Sequence, residues 1–277
     1  MPSIRVARPR EAVKASIALP RSKSISNRAL LMASLCGDLG LVHGLSDGDD
    51  TRVMRDLLSG APRVMDCGAG GTTFRFLLAW ASAREGEERI LTGTPRLLER
   101  PHHDLVAALG RLGADIERVA EGYRVRGRPL RGGEVRFDSP ISSQYLSALL
   151  MVAPRMRDGL TLRWTGTRLS EPFVHMTLKM LAHFGVYPRL ELDGVRVDPG
   201  DYIPAPFTVP HDWSSAAFWY QIAALAPGSE VLLQGLADDT MQGDREAQRL
   251  WAPWVETRFT AEGAVLRHRP TPGPWED

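Results

Sequence analysis

A pattern that recurs about every 70 residues constrains this chain more than any other feature. Three segments follow one script: a helical run, usually a glycine, then two strands around a turn. They are HDLVAALGRLGADIERVAEGYRVRG from His103 to Gly127, VHMTLKMLAHFGVYPRLELDGVRV from Val174 to Val197, and DREAQRLWAPWVETRFTAEGAVLR from Asp244 to Arg267. Their turn glycines are Gly122, Gly194 and Gly263; the third copy departs at Pro253, where the helix ends without a glycine. A second series runs between them: SISNRALLMASL from Ser24, GTTFRFLLAWAS from Gly71, SSQYLSALLMVAP from Ser142 and WSSAAFWYQIAAL from Trp213. Each opens on hydroxyl residues suited to capping and continues as an almost wholly apolar helix, which has to be buried. One period therefore reads strand–helix–strand–helix–strand–strand, an α/β chain with one buried and one amphipathic helix per unit. The first unit is shorter. After GLSDGDDTRVMRDLLSGA the chain goes almost directly to VMDCGAGGTTFRF, so its hairpin is reduced or missing.

Composition narrows the function classes. A 277-residue chain that is 43% hydrophobic and 24% charged is an ordinary globular protein of one large or two medium domains. A net charge of +1 argues against a general nucleic-acid binder. No apolar run approaches the ~20 residues of a membrane span. The N-terminus lacks the apolar region of a signal peptide; the alternation over Ser3–Val6 and Val13–Leu19 predicts strand. The two cysteines form neither a disulfide framework nor a zinc site and suit a reducing compartment. Cys36 falls in a core-like run, whereas Cys67, beside a glycine turn, is open to exposure; both are structural. The seven histidines show no metal spacing, and the adjacent His102 and His103 read as surface residues.

Several helix starts carry chemistry. In PRSKSISNRALLM, Pro20–Met32, a lysine, an arginine and three serines precede an apolar helical run. A helix N-terminus offers unpaired N–H groups and a partial positive charge, so anions settle there. Lys23 adds a mobile charge, and Arg28, one turn after Ser24, a planar fork suited to phosphate or carboxylate. Gly68–Arg75 reads GAGGTTFR, a turn that lets backbone approach a ligand, with Thr72 and Thr73 as caps. It is neither a phosphate-binding GxxxxGK[ST] loop nor a dinucleotide fingerprint. Arg100 precedes Pro101 and so sits in extended or turn backbone. Ser142, Ser143 and Gln144 open a buried helix, where the amide needs partners. Asp49, Asp50 and Asp212 are acidic candidates that also suit plain capping. Units packed around an axis would bring these ends to one face and make an anion site.

Taken in order, SKSISNRALL, Asp49-Asp50, GAGGTTFRF, LTGTPRLLERP, SSQYLSALLM, SEPFVHMTLKMLAHFGV, DWSSAAFW and MQGD resemble the 5-enolpyruvylshikimate-3-phosphate synthases, or 3-phosphoshikimate 1-carboxyvinyltransferases. The resemblance implies an inside-out α/β barrel fold built from repeated βαβαββ units. It implies a complete three-unit substrate-binding domain over 22–209 and a partial second domain from 1–21 plus 210–277. It implies transfer of the enolpyruvyl (carboxyvinyl) group of phosphoenolpyruvate to the 5-hydroxyl of shikimate 3-phosphate. This is a cytoplasmic step toward chorismate and aromatic amino acids, needing no metal or organic cofactor, no nucleic acid and no membrane, and family members are usually monomeric.

Carried over by motif, Lys23 contacts phosphoenolpyruvate and shikimate phosphate and takes part in catalysis. Ser24, Arg28, Ser142, Ser143, Ser170 and Phe173 hold shikimate 3-phosphate. Gly71 and Arg100 hold phosphoenolpyruvate, and Gln144 touches both substrates. Asp49 and Asp212 stand as acidic residues near the family's interdomain cleft, in catalytic roles. Arg21, Ala69, Phe173 and His175 depart from residues usual in the family. Family members run longer, and no K-E-[ST]-D-R-like segment occurs here, so the expectation is a shortened member with the second domain incomplete. Two readings follow: an enzyme of the family, or a non-catalytic module that binds shikimate 3-phosphate or needs a complementing C-terminal chain. An incomplete domain is further expected to expose the helix face around Phe218–Leu225 and to drive self-association.

Overall fold

The structure, a computed structural model, describes residues 11–139, 142–166 and 170–270. The strand expected at Ser3–Val6 and the tail beyond Pro270 lie outside these residues. The chain divides into two compact units, residues 23–209 and residues 11–22 with 210–270.

In chain order, β1 (Lys14–Ala18) leads into α1 (Lys23–Cys36), β2 (Val42–His43), α2 (Asp49–Gly60), β3 (Val64–Asp66), α3 (Gly71–Ser82) and β4 (Glu88–Thr92). Then come α4 (Pro95–Leu98), α5 (His103–Arg111), β5 (Asp115–Val119), β6 (Gly122–Arg126), β7 (Gly133–Asp138), α6 (Ser143–Val152) and β8 (Leu160–Thr165). The remainder are α7 (Glu171–His183), β9 (Arg189–Glu191), β10 (Gly194–Val197), β11 (Phe207–Thr208), α8 (Trp213–Leu225), β12 (Glu230–Gln234), α9 (Ala247–Trp251), β13 (Val255–Thr260) and β14 (Gly263–His268).

The repeat is visible as three four-stranded sheets of one topology: β3-β4-β6-β5, β7-β8-β10-β9 and β1-β12-β14-β13. In each, the first two strands are parallel and the last two form an antiparallel hairpin; α3 joins β3 to β4 and α6 joins β7 to β8, whereas the chain between β1 and β12 runs through the whole 23–209 stretch and α8. The repeated glycine has a steric cause. A β-carbon at Gly122, Gly194 or Gly263 would run into the carbonyl oxygen of Leu91, Leu162 or Leu233 on the neighbouring strand. The backbone itself occupies the side-chain space there. The short first unit has only the parallel pair β2 and β11, the latter drawn from the far end of its unit.

Burial separates the helices. Eleven of the twelve residues of α3 are buried, as are ten of fourteen in α1 and nine of ten in α6. These three helices fill the interior of the 23–209 unit, as all-round apolar helices must. The fourth, α8, is not buried all round; it leaves one face open, as expected for the stretch around Phe218–Leu225. It buries only Trp213, Ala216, Tyr220, Ala223 and Ala224, which pack with Val231, Leu233, Val255, Ala264 and Leu266 of its own sheet and with Leu19 just after β1. Its other face is open, with Phe218 69% exposed. No helix among the described residues is long and apolar enough to cross a membrane.

Candidate functional site

The first turn of α1 carries no acidic residue, so its free N–H groups and dipole stay uncompensated from within the helix. Lys23 opens that turn, with Nζ 3.1 Å from Asp50 Oδ2 at the start of α2. One turn on, Arg28 is 2% exposed in the middle of polar neighbours. Its Nε donates to Thr177 Oγ1 at 2.8 Å, Nη1 to Ser24 O at 2.9 Å, and Nη2 to Ser147 Oγ at 3.1 Å and Phe173 O at 3.3 Å. Its guanidinium carbon also lies 5.3 Å from the Phe76 ring centre and 5.8 Å from that of Phe173. Among the described residues no carboxylate pairs with it. Burial alone pulls the guanidinium down to about 9, so it stays a cation at neutral pH.

Arg28 borders a cavity of about 400 Å³. Helix α1 contributes Lys23, Ser24 and Arg28, and α3 contributes Thr72. The start of α6 contributes Ser142, Ser143 and Gln144, and the start of α7 Ser170 and Phe173. None of these nine is acidic. Ser142 is the N-cap of α6, its Oγ accepting from the Gln144 N–H at 3.2 Å. Ser170, the N-cap of α7, sits at φ 56° without a side-chain cap bond. A serine in left-handed backbone is a strained position, and this one lines the cavity.

A second group of cations adjoins the first. The α-carbon of Gly71 faces two guanidiniums. A β-carbon there would lie 3.0 Å from Arg100 Cζ and 3.3 Å from Arg75 Nη1. Arg75 is buried, and its Nη1 donates to Gln144 Oε1 at 2.5 Å, which joins this group to the cavity. Arg100 is exposed and lines a neighbouring hollow with Ala69, Thr94, Arg96 and Leu97. The expected caps of α3 are otherwise placed: Gly70 is the N-cap, Thr72 faces the cavity, and Thr73 Oγ1 donates to Asp50 O at 3.1 Å.

Other candidates sit elsewhere. Asp49 is 88% exposed and pairs with Arg52, outside the cavity lining; its neighbour Asp50 is the residue that meets Lys23. Asp212 belongs to the other unit and caps α8, its Oδ2 accepting from the Ser215 N–H at 2.9 Å and the Ser215 hydroxyl at 2.7 Å. His102 corrects the surface assignment. It is 1% exposed, its Nε2 lies 2.9 Å from Leu97 O, and its ring packs 4.5 Å from that of Phe74. His103 alone is exposed, because the first residue of α5 faces outward while the cap turns in. Cys67 is buried, and burial beside Asp66 pushes its thiol up to about 12. Cys36 is half-buried. Two site residues escaped the motif reading, Arg75 and Thr177, and of the acidic pair it is Asp50, not Asp49, that meets Lys23. Arg75 did leave a signal, a charged residue inside the otherwise apolar run TFRFLLAW.

Fold and cavity together define a repeat-built α/β protein that gathers helix starts, hydroxyls and cations around one anion-sized space. The family model described as EPSP synthase (3-phosphoshikimate 1-carboxyvinyltransferase) matches residues 55–270. A 3-phosphoshikimate 1-carboxyvinyltransferase of Bacteroides fragilis is 44% identical over 265 residues, covering 94% of this chain and 64% of that protein. One from Bordetella parapertussis is 35% identical over 316 residues, covering 96% of this chain and 69% of its own length. The solved EPSP synthase of Acinetobacter baumannii shares the fold at TM-score 0.74 and 20% identity, with 95% of this chain and 66% of that one covered. The chain belongs to the EPSP synthase family. It spans 64% of the length of the Bacteroides relative.

Proposed function

We propose that the cavity of the 23–209 unit binds shikimate 3-phosphate. We further propose that the chain serves transfer of the enolpyruvyl group from phosphoenolpyruvate to the 5-hydroxyl of that ester. The observation that carries the reading is Arg28: a buried cation whose partners among the described residues are all neutral, at the edge of a cavity with no acid among its described lining residues. A charge kept from water in this way is stabilised by an anionic ligand more than by any neutral one.

In this reading Ser24, Arg28, Ser142, Ser143 and Ser170 hold the 3-phosphate side, and Phe173 packs on the ring. Gly71 and Arg100 receive the carboxylate and phosphate of phosphoenolpyruvate, with Gln144 and Lys23 between the two substrates. The 5-hydroxyl adds to C2 while C3 takes a proton. The tetrahedral adduct then expels phosphate and loses the proton at C3 to restore the double bond. Cations around the two phosphates stabilise the charge that builds up on the adduct. Lys23 is a proton-transfer group in this scheme, and Asp50, 3.1 Å from its ammonium, takes the place expected of Asp49 as the carboxylate that holds it. The same reading puts the chain in the cytoplasm. The two free cysteines support the compartment.

Calorimetric titration with shikimate 3-phosphate tests the binding, and phosphate release on adding phosphoenolpyruvate tests the transfer. One-to-one binding that is lost in the Ser142→Ala/Ser143→Ala double variant is expected. No heat and no thermal protection by the ester would refute the reading. A second reading rests on the share of the relatives' length that this chain spans: a module that binds the ester and turns over only beside a complementing chain. Phosphate release by this polypeptide alone discards it. Release only after adding the C-terminal part of a relative selects it.

A further inference from the structure

We propose that Arg75 is a positioning residue that turns the Gln144 amide so that its NH2 group faces the cavity. Arg75 stands on α3 and is buried, yet among the described residues no carboxylate pairs with it. Its Nη1 donates to Gln144 Oε1 at 2.5 Å. A guanidinium carries donors only. Whichever way the amide rotates, its oxygen is the atom that satisfies Arg75, and Nε2 is left for the cavity that Gln144 lines. The guanidinium is itself clamped. It lies 5.3 Å from the Tyr145 ring centre, and its Nη2 reaches Pro101 O at 3.5 Å. The Tyr145 hydroxyl donates to the same carbonyl at 2.5 Å. Freed from Arg75, the amide can turn its oxygen inward, an acceptor facing the oxygens of an anion. The cavity would then lose one of the donors that suit it to a phosphate ester. The identity of that ester rests on the functional reading above; the lock itself does not.

The test uses Arg75→Met, Arg75→Lys, Gln144→Ala and the two Arg75 variants combined with Gln144→Ala. In the free protein, the Gln144 side-chain NH2 signal is assigned by nitrogen-15 NMR from its loss in Gln144→Ala. It should be ordered in the parent and in Arg75→Lys and motionally averaged in Arg75→Met. Shikimate 3-phosphate affinity should fall about tenfold in Arg75→Met, the worth of one charge-assisted hydrogen bond, and be partly restored by Arg75→Lys. In the Gln144→Ala background neither Arg75 change should cost further affinity. An amide equally ordered without Arg75, or the same fold-loss with Gln144 already removed, overturns the proposal. If Arg75→Met does not fold, Arg75→Lys against Arg75→Lys/Gln144→Ala decides, with about threefold expected in the first comparison and none in the second. A parent protein that does not bind the ester overturns the functional reading, and the amide signal still decides the lock.

Discussion

Replacing Arg28 by methionine separates what this residue does for a ligand from what it does for the fold. Removing half of a buried ion pair costs about 3–5 kcal/mol because the partner charge is stranded. Arg28 strands no charge. Once it is gone, the Thr177 hydroxyl still has Ser147 Oγ at 3.0 Å and Phe173 O at 2.9 Å. Four hydrogen bonds disappear, worth about 1 kcal/mol each. Against them stands the burial penalty that brings the guanidinium down to about 9, on the order of 5 kcal/mol at about 1.4 kcal/mol per pH unit. The two nearly cancel, so urea unfolding should place Arg28→Met within about 1–2 kcal/mol of the parent. The ligand response should differ sharply. Shikimate 3-phosphate at a hundred times its Kd stabilises a binding-competent chain by about 2.7 kcal/mol, and Arg28→Met should show none of that. A variant that loses more than about 4 kcal/mol on its own, or one that the ester still stabilises, would show that the cation serves the fold and not the anion.

Gly71→Ala places a methyl against Arg100 and Arg75. Arg100 is exposed and free to shift, so the melting temperature should hold, while phosphoenolpyruvate-dependent turnover or binding weakens more than shikimate 3-phosphate binding; equal losses for both ligands would contradict the assignment. Burial lowers His102 below its ordinary 6.5, with Arg75, Arg100 and Arg118 adding to the shift and the Leu97 carbonyl opposing it. The unfolded chain therefore takes up this proton first. The stability from neutral His102 is present above pH 6.5 and is lost as pH falls through the lower folded value. His211 behaves the same way, through burial and the charge of Arg21. Urea midpoints measured from pH 7 downward should drop less steeply in His102→Gln than in the parent; identical slopes would rule out the proposed neutral imidazole. Phe218, 69% exposed on α8, should drive concentration-dependent association. Phe218→Ser should weaken it by the worth of a buried aromatic, about 1.5–3 kcal/mol, and a parent monomeric at high concentration in sedimentation would remove the basis for that expectation.

The units were legible because their signals are local. Apolar spacing, Gly113 and Gly185 after α5 and α7, and the three hairpin glycines all act within a few residues of where they stand. The hydroxyl-led starts of α1, α3 and α6 likewise pointed to an anion site. At α8 apolar composition alone predicts burial all round, and only the expected lack of neighbours around Phe218–Leu225 predicts the open face that is found. Its composition is as apolar as that of α3, but composition does not say how many faces find a neighbour, and one face of α8 finds only its own sheet. His102 misled for a related reason. Two adjacent polar rings look solvated, yet the ring of the first turns onto Phe74 and Tyr123. In the pair Asp49-Asp50, one position along a helix turns the side chain by about 100°, enough to send one carboxylate to solvent and the other to Lys23.

By itself the amino-acid order determined the repeating unit, the kind of helix at each place and the polar chemistry of the helix starts. These follow from contacts between near neighbours along the chain. Tertiary structure alone decided that Arg28 bonds Thr177, 149 positions away, that no acid among the described residues joins them, and that Arg75 meets Gln144 across 69 positions. Such meetings depend on how whole helices pack, and packing is a property of the folded volume that no short stretch of residues contains.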